Sequence, residues 1–536
     1  MIQIDQKKIS PGKESELLQI IAKEAYMLQI KNLTILKKSV DARKKPDVFY
    51  RYSILLSLDE PVEKKILRKN KTVKEAEKPV SYEICRLTQK STENPPVIVG
   101  MGPAGLFCAY VLAKAGLKPI IIERGEPVEE RMQKVDEFWK SGKLNAESNV
   151  QFGEGGAGTF SDGKLNTGVK DKFGRKRFVL ETFVKHGAAE TILYDAKPHI
   201  GTDVLCKVIA NMRSELKSLG ATILFHHRLE HVIMDANGYI SGLKVTNLTT
   251  DEEVNIAASR VVLAIGHSAR DTFFNLLTDG IVMEQKSFAV GLRVIHEQNY
   301  INQEQYGADY RNRYNNTLPP SPYKVVMNTP EGRGVYSFCM CPGGFVVNAS
   351  SEEGRLAING MSYSDRAGEN ANSALIVTVK PEDFESGHPL AGVEFQRRLE
   401  EKAYRAADGK IPTQYVGDFL CKGEPGAIQV IPQFKGENTP GADMREILPG
   451  FICDALAESL GFFGQRIKGF DRKDAILAAV ESRTSSPVRI NRDENFESNI
   501  KGLYPCGEGA GYAGGITSAA MDGLKIAEAI AKKYLP

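Results

Sequence analysis

Long apolar runs are missing from this sequence. Nowhere in its 536 residues do about 18 apolar residues follow one another, so no helical membrane span is expected. The opening stretch, MIQIDQKKISPGKES, has no apolar segment of the kind a secretory signal needs, and the reading is a cytoplasmic, water-soluble protein. No Cys-x-x-Cys pair occurs, which argues against a thioredoxin-like dithiol. The cysteines present (Cys85, Cys108, Cys206, Cys339, Cys341, Cys421, Cys453, Cys506) are scattered without a framework spacing, which favours reduced thiols over disulfides. Internal repeats and low-complexity tracts are absent too, so a repeat array is not the architecture. Excess charge is small, a formal net +3, but it is unevenly spread: residues 1–94 carry 20 Lys and Arg against 13 Asp and Glu, leaving 50 against 54 elsewhere.

At this length two or three domains are expected. The basic first segment reads as a small α+β module. Apolar residues at helical spacing over 13–29 (Leu17, Leu18, Ile20, Ile21, Ala25, Leu28) precede two β-rich runs, 33–36 and 48–58. A Lys- and Glu-rich connection over 61–79 and a Pro-Pro breaker closing 91–96 put a boundary near residue 94. The basic runs of this module would suit nucleic acid or an acidic partner protein, but interleaved acids favour a solvated face.

From Val97 the chain reads strand, glycine turn, helix, strand: VIVG, MGPAGLFCAYVLAKAGL, KPIIIERG. Gly100-Met101-Gly102-Pro103-Ala104-Gly105 stands where a buried strand meets a helix, and Glu123 closes the next strand. Gly100 permits the tight turn, Gly102 lets the backbone approach a pyrophosphate, and Gly105 lets the helix pack close to the strand. The helix N-terminus offers free N–H groups and a positive dipole end to phosphates, and Glu123 can accept hydrogen bonds from ribose hydroxyls. A dinucleotide site is the preferred reading over a merely structural turn.

Further on, a helix over about 202–219 leads to the strand ATILFHH, a meander through Gly238 and 243–246, and the apolar strand VVLAIG at 261–266. Residues 286–478 mix strands and helices without a glycine fingerprint, and the last 55 or so return to strand, turn and helix. The expected domains are therefore 1–94, a first nucleotide-binding part over 95–285, an inserted substrate or cap domain over 286–478, and a C-terminal nucleotide-binding part over 479–536. The first fingerprint does not separate NAD from FAD, because both carry an ADP half. The second glycine-rich turn, Cys506-Gly507-Glu508-Gly509 followed by Gly511-Tyr512-Ala513-Gly514-Gly515-Ile516, separates them. It opens the last helix, whose positive end would stabilise the negative charge of reduced flavin.

With both ends in view, the sequence resembles the FAD-dependent dehydrogenases of the glutathione-reductase-type superfamily, in particular the bacterial group called FAD-dependent dehydrogenases or NAD(P)/FAD-dependent oxidoreductases. The resemblance covers most of the chain. Its marks are VGMGPAGLF at 99–107, NVQFGEGGAGTFSDGKLNTG at 149–168, VVLAIGHSARDTF at 261–273, FAVGLRVIH at 288–296, VYSFCMCPGGFVV at 335–347, ESRTSSPVRI at 481–490 and YPCGEGAGYAGGI at 504–516.

The resemblance implies an α/β fold: a Rossmann-type, glutathione-reductase-like FAD domain with an inserted α+β substrate domain and a small N-terminal α+β domain. It implies non-covalent FAD, with Gly100, Gly102, Pro103, Ala104 and Gly105 cradling the pyrophosphate and Glu123, beside Arg124, at the adenosine ribose. The loop 153–165, with Gly155, Gly158, Thr159, Ser161, Lys164 and Leu165, would wrap the pyrophosphate and the flavin face. Leu229 would offer backbone to adenine, and Gly266 marks a strand end near the cofactor. Gly507, Glu508, Ala513, Gly514, Gly515 and Ile516 would contact the ribityl chain and isoalloxazine. Here the sequence departs from the family, which usually carries Asp where Glu508 stands.

Flavin chemistry needs little from side chains beyond positioning, exclusion of solvent and one acid or base, so a catalytic residue need leave no motif. Five candidates stand out. Cys339 and Cys341, at i and i+2 of a strand-like run, would share a face about 6.5–7 Å apart, at the limit for an unstrained disulfide. A structural turn or pocket wall is favoured over a dithiol centre, and no metal site is expected because no nearby His or further Cys completes one. His267, after VVLAIG, would face the flavin or the substrate, or make a backbone hydrogen bond. Arg293, with His296 close by, lies where a carboxylate or a nicotinamide-nucleotide phosphate would dock, or where an interdomain hydrogen bond forms. Arg483 has the same standing, with Thr484, Ser485 and Ser486 as polar pocket groups.

The leading expectation is an FAD-dependent oxidoreductase moving a hydride between a small organic substrate and flavin N5. A single ADP fingerprint argues against a built-in NAD(P)H domain, so electrons would come from transient NAD(P)H, from the substrate, or from an electron-donor protein. Two other readings stand: a tRNA-modifying flavoprotein using the basic module, and a flavin-binding redox regulator that turns over no substrate.

Overall fold

The computed structural model describes residues 1–536 except 18, 20, 22–29, 70–72, 78–79, 86, 88–93, 422, 424–429 and 535–536. Most of the helix expected over 13–29 lies outside the described residues.

The strand Asp47–Ser57 alternates strictly, turning Val48, Tyr50, Tyr52, Ile54 and Leu56 inward, as a half-buried strand must. It lies between Asn32–Lys44 and Ile2–Ile9 in an antiparallel sheet completed by Val73–Glu75. The expected connection over 61–79 is corrected here. It contains the helix Glu60–Lys69 and that edge strand, and the helix packs its adjacent Ile66 and Leu67 against the sheet's apolar face. The buried face also takes in Tyr306, Tyr310 and Leu318 from later in the chain. The Val48 N–H donates to Tyr314 Oη at 2.7 Å, and Lys38 exchanges backbone hydrogen bonds with Tyr194 and Ala196. The basic runs are partly matched: Arg43 and Arg51 both pair with Asp41, and Lys64 pairs with Glu60.

A parallel five-stranded sheet holds, in spatial order, Leu503–Pro505, Val261–Leu263, Val97–Val99, Ile120–Ile122 and Thr222–Leu224. Its central strands are apolar throughout because helices cover the sheet. The helices Pro103–Ala115 and Ile516–Lys532 pack so closely that a Cβ on Gly523 would come within 2.2 Å of the Ala104 carbonyl oxygen. An antiparallel meander, His227–Met234, Ile240–Asn247 and Glu252–Ala257, precedes the Val261 strand.

The middle of the chain builds a seven-stranded sheet in the order Val326–Asn328, Gly334–Cys341, Asn370–Val379, Phe288–Glu297, Ile476–Glu481, Ile411–Tyr415, Asn438–Pro440. Phe288–Glu297 and Asn370–Val379 pair antiparallel over ten residues and are almost wholly buried. The helices Ala391–Ala406 and Gly450–Arg466 complete this core with Leu399, Leu456, Leu460 and Phe463. The ribbon Met283–Gln285 with Val488–Ile490 joins this part to the parallel sheet. The whole is a mixed α/β fold. Among the described residues, no helix is long and apolar enough to cross a membrane.

Candidate functional site

A cavity of about 370 Å³ opens at the carboxyl ends of the parallel strands, where residues just past four of the five line it: Gly100 and Gly102, Glu123 and Arg124, Ala264 to His267, and Cys506 with Glu508. Such strand ends are the usual ligand crevice of open parallel sheets.

The first wall is the turn after Val97–Val99. Gly100 has φ +97 and donates its N–H to the Ile122 carbonyl at 2.7 Å; a Cβ there would lie 2.4 Å from the Ala264 oxygen. Gly105 stands behind the turn, not in the cavity: a Cβ on it would meet the Gly100 oxygen at 1.9 Å, so its glycine is what lets the helix start this close. Gly102, Pro103 and Ala104 line the cavity at the start of that helix. Opposite them Gly514, Gly515 and Ile516 line it at the start of the last helix. Two helix N-termini, with first-turn N–H groups lacking intrahelical acceptors, therefore converge on one space.

Glu123 is 5% exposed, and its carboxylate accepts from the N–H groups of Met101 (2.8 Å), Gly125 (3.0 Å) and Gly153 (3.0 Å). It thus ties the fingerprint turn to the second glycine loop while remaining on the cavity wall. Arg124 also lines the cavity, bidentate on Asp271 and paired with Glu147. Leu229 and Gly266 line it as well.

The second glycine loop is held from behind by Arg131, a residue that the sequence reading missed. Its side chain is wholly buried, and it donates from Nε to Asn149 O (2.9 Å), from Nη1 to Gly153 O (3.2 Å), Glu154 O (2.7 Å) and Gly156 O (3.0 Å), and from Nη2 to Val150 O (3.0 Å). Burial pushes its pKa down to about 10, which still leaves it charged at neutral pH. A Cβ on Gly153 would come within 2.4 Å of its Cδ. Beside it Glu154, fully buried, accepts from Val128 N–H at 2.8 Å and from Arg213 at 2.7 Å; burial pushes its carboxyl up to about 7.

Of the loop residues singled out in the sequence, Gly158, Ser161 and Lys164 line the cavity. Gly155, Thr159 and Leu165 do not. Gly155 packs against Thr159 Oγ1 and Ile209, and the Leu165 carbonyl accepts from Thr517 Oγ1 at 2.9 Å. Gly507 and Ala513 also sit off the wall; the Gly507 N–H donates to Asp522 at 2.9 Å. Gln151, Phe152, Phe338 and Glu481, which lie within the quoted marks without having been singled out, also line the cavity, as does Asn359, which lies in none of them.

The five catalytic candidates separate. His267, Cys339 and Arg483 line the cavity; Arg293 and Cys341 do not. His267 Nδ1 lies 3.2 Å from Glu508 Oε1, while its Nε2 is buried without a partner among the described residues. Docking of an anion on Arg293 is corrected. Its side chain is fully buried, with Nε and Nη2 on Glu481 (2.9 and 3.2 Å), Nη1 on Asn372 Oδ1 (2.7 Å) and Cys339 O (3.2 Å), and Nη2 also on Asn359 Oδ1 (3.4 Å). No donor is left for a ligand. His296 is buried too, its Nε2 against Phe470 O at 2.8 Å, and burial pushes its pKa down to about 4.

The shared face expected for Cys339 and Cys341 is corrected as well. A bulge between Phe338 and Cys341 breaks the alternation, Cys339 adopts φ +42, and Cys341 Sγ donates to the Cys339 carbonyl. Both thiols are free, and burial pushes that of Cys339 up to about 12, far from a thiolate at neutral pH. Arg483 directs Nε and Nη2 at Glu400 (3.0 and 2.8 Å) and Nη1 at Ser351 and Ser268. Glu400 is shared with Arg270, whose second carboxylate is Glu352, so a buried charge cluster backs this wall.

The model of a family described as "FAD-dependent protein, C-terminal domain-like" matches residues 287–484, and a domain of unknown function matches residues 1–57. A protein of Clostridium beijerinckii, described as uncharacterised, is 46% identical over 519 residues, which is 94% of this chain and 93% of that one. Among solved structures, the glycerol-3-phosphate dehydrogenase of Bacillus halodurans complexed with FAD is 12% identical with a TM-score of 0.37 over 82% of this chain; the chain spans 65% of that dehydrogenase's length. The quinol fumarate reductase of E. coli is 15% identical with a TM-score of 0.36, over 82% of this chain and 70% of that one. The chain belongs to the same family as the Clostridium beijerinckii protein, and its residues 287–484 match the FAD-dependent protein, C-terminal domain-like family.

Proposed function

We propose that this protein is an FAD-dependent oxidoreductase acting on a small organic substrate, with transient NAD(P)H as one route of reduction. The observation that carries the reading is the convergence of two helix N-termini and two glycine turns on one cavity at the strand ends.

The residues fit such a cofactor. At Gly514 and Gly515 a Cβ would stand in open space, and at Gly102 its nearest neighbour would be Gly156 Cα at 3.7 Å, so the backbone leaves room for a ligand to approach. The N–H groups of Gly102 and Ala104, on either side of Pro103, would hold the pyrophosphate, with Gly156 and Gly158 across from them. Glu123, Arg124 and Leu229 would surround the adenosine, and Glu508, Gly514, Gly515 and Ile516 the ribityl chain and ring. Bound FAD supplies hydride exchange at N5. The chain's own part is to orient the ligands, to exclude water through Phe152, Phe338 and Ile516, and to hold a proton at His267, whose Nδ1 is fixed by Glu508 and whose Nε2 is buried at the wall without a protein partner among the described residues.

Anaerobic stopped-flow absorbance of the flavin band, with NADH and NADPH mixed separately, tests the reading. Rapid bleaching by one of them, or by a small organic reductant when neither acts, is the expected result. FAD-loaded protein that no small reductant bleaches, and that only a partner protein reduces, contradicts the reading.

A further inference from the structure

Away from the fingerprint turn, the cavity ends among Asp162, Lys164, Phe338, Cys339, Asn359 and Glu481. The acceptors there are engaged. Asp162, 2% exposed, takes Nε and Nη2 of Arg366, the Ser362 hydroxyl and, at 2.8 Å, the Lys164 ammonium. Glu481 takes two of the Arg293 hydrogen bonds, and the Thr484 hydroxyl donates to Ala289 O at 2.7 Å.

The donors are only partly engaged. Nζ of Lys164 is shut off from solvent and has only the Asp162 carboxylate near it, which leaves part of its three-proton capacity unmet. The Asn359 amide is oriented by its neighbours: Arg293 and the Gly360 N–H can only donate, so Oδ1 faces them and the NH₂ turns away, without an acceptor among the described residues. Charge points the same way. Lys164, Lys197 and Arg366 stand around Asp162 and Asp203, both of which are already hydrogen-bonded, and His199 is held neutral beside them, pushed down to about 4 by burial and by the Arg366 charge.

We propose that Lys164 and Asn359 anchor the carboxylate group of a small organic acid, the substrate of the oxidoreductase reading on which this inference rests. A carboxylate is an acceptor-only anion, and its two oxygens match two separate donor groups. The second negative charge of a phosphate monoester would stand beside the Asp162 and Glu481 carboxylates without a cation of its own.

The test is titration of FAD-loaded protein with acetate, malonate and benzoate, and with inorganic phosphate in parallel, following the flavin visible band. At least one carboxylate should perturb the band saturably, Lys164→Met should weaken that binding by about 30-fold and Asn359→Leu by about 5-fold, and FAD should stay near one per chain in both variants. Lys164→Arg should recover part of the affinity. Silence from every carboxylate, preference for phosphate, or undiminished binding by Lys164→Met each overturns the proposal. So does loss of FAD from Lys164→Met, which would assign the ammonium to the flavin. A wild-type protein that takes up no FAD fails before any acid is added, and that failure belongs to the reading beneath.

Discussion

At the scale of single residues, the site rests on positions where one added carbon has nowhere to go. Gly105→Ala would set a Cβ 1.9 Å from the Gly100 oxygen, so the helix must retreat from the turn. FAD affinity should fall at least tenfold, about 1.4 kcal/mol or more, while Gly461→Ala, in open space on a helix away from the cavity, should leave it unchanged; equilibrium dialysis of the two variants measures the contrast. Glu154 carries a pH signature. Its folded carboxyl is pushed up to about 7 by burial, against an ordinary 4.5. Between those values the folded chain holds a proton that the unfolded chain has released, so this group lowers stability as pH rises through the window. Glu154→Gln should therefore gain on the wild type from pH 4.5 to 7, by roughly 1–3 kcal/mol in total, when urea unfolding is compared across pH. A constant difference between the two proteins would mean that Glu154 does not titrate there.

At the scale of elements, the carbonyls of the glycine loop at 149–156 are gathered by one side chain. Arg131→Met leaves five backbone carbonyls without their donor, which should cost about 3 kcal/mol or more and speed hydrogen exchange in 149–156 ahead of the parallel strands. Protection unchanged in that loop would show that it holds itself. Across the cavity, Glu400 joins Arg270 to Arg483 with no exposure to solvent; Glu400→Ala leaves two buried guanidinium groups short of a partner and should destabilise by about 3–5 kcal/mol in denaturant unfolding.

These elements differ in how far the sequence discloses them. The turn at 100–105 is legible because each glycine answers a local steric demand within a few residues of its neighbours. Arg131 is not, since a guanidinium whose acceptors are all backbone carbonyls leaves no partner residue type at any spacing. Glu481 reaches the wall through sheet pairing with Gly291, 190 positions earlier in the chain, and Asn359 through a short pairing with Val347 that no motif marks. The strand-like run at Cys339 and Cys341 misleads for a related reason: a bulge reverses the side-chain alternation, and nothing in the run itself announces it.

At the scale of the whole molecule, the parallel sheet is visible in the sequence as apolar runs ending in glycine, while the seven-stranded sheet, free of fingerprints, reads only as mixed elements. The placement of the N-terminal sheet comes from the fold, because its contacts with Tyr306, Tyr310 and Leu318 join residues some 250 positions apart in the chain. Removing residues 1–76 should uncover those side chains and lower the thermal midpoint by several degrees, with increased aggregation on heating; an unchanged midpoint would mean that the remaining fold does not lean on this sheet.

The central claim is that the cavity at the strand ends holds FAD. The most direct measurement is the flavin content of purified protein, read from the visible spectrum before and after acid precipitation and reconstitution with FAD. About one FAD per chain, released into the supernatant by acid and largely lost in Gly105→Ala, is the expected result. A protein that stays colourless after incubation with FAD would contradict it.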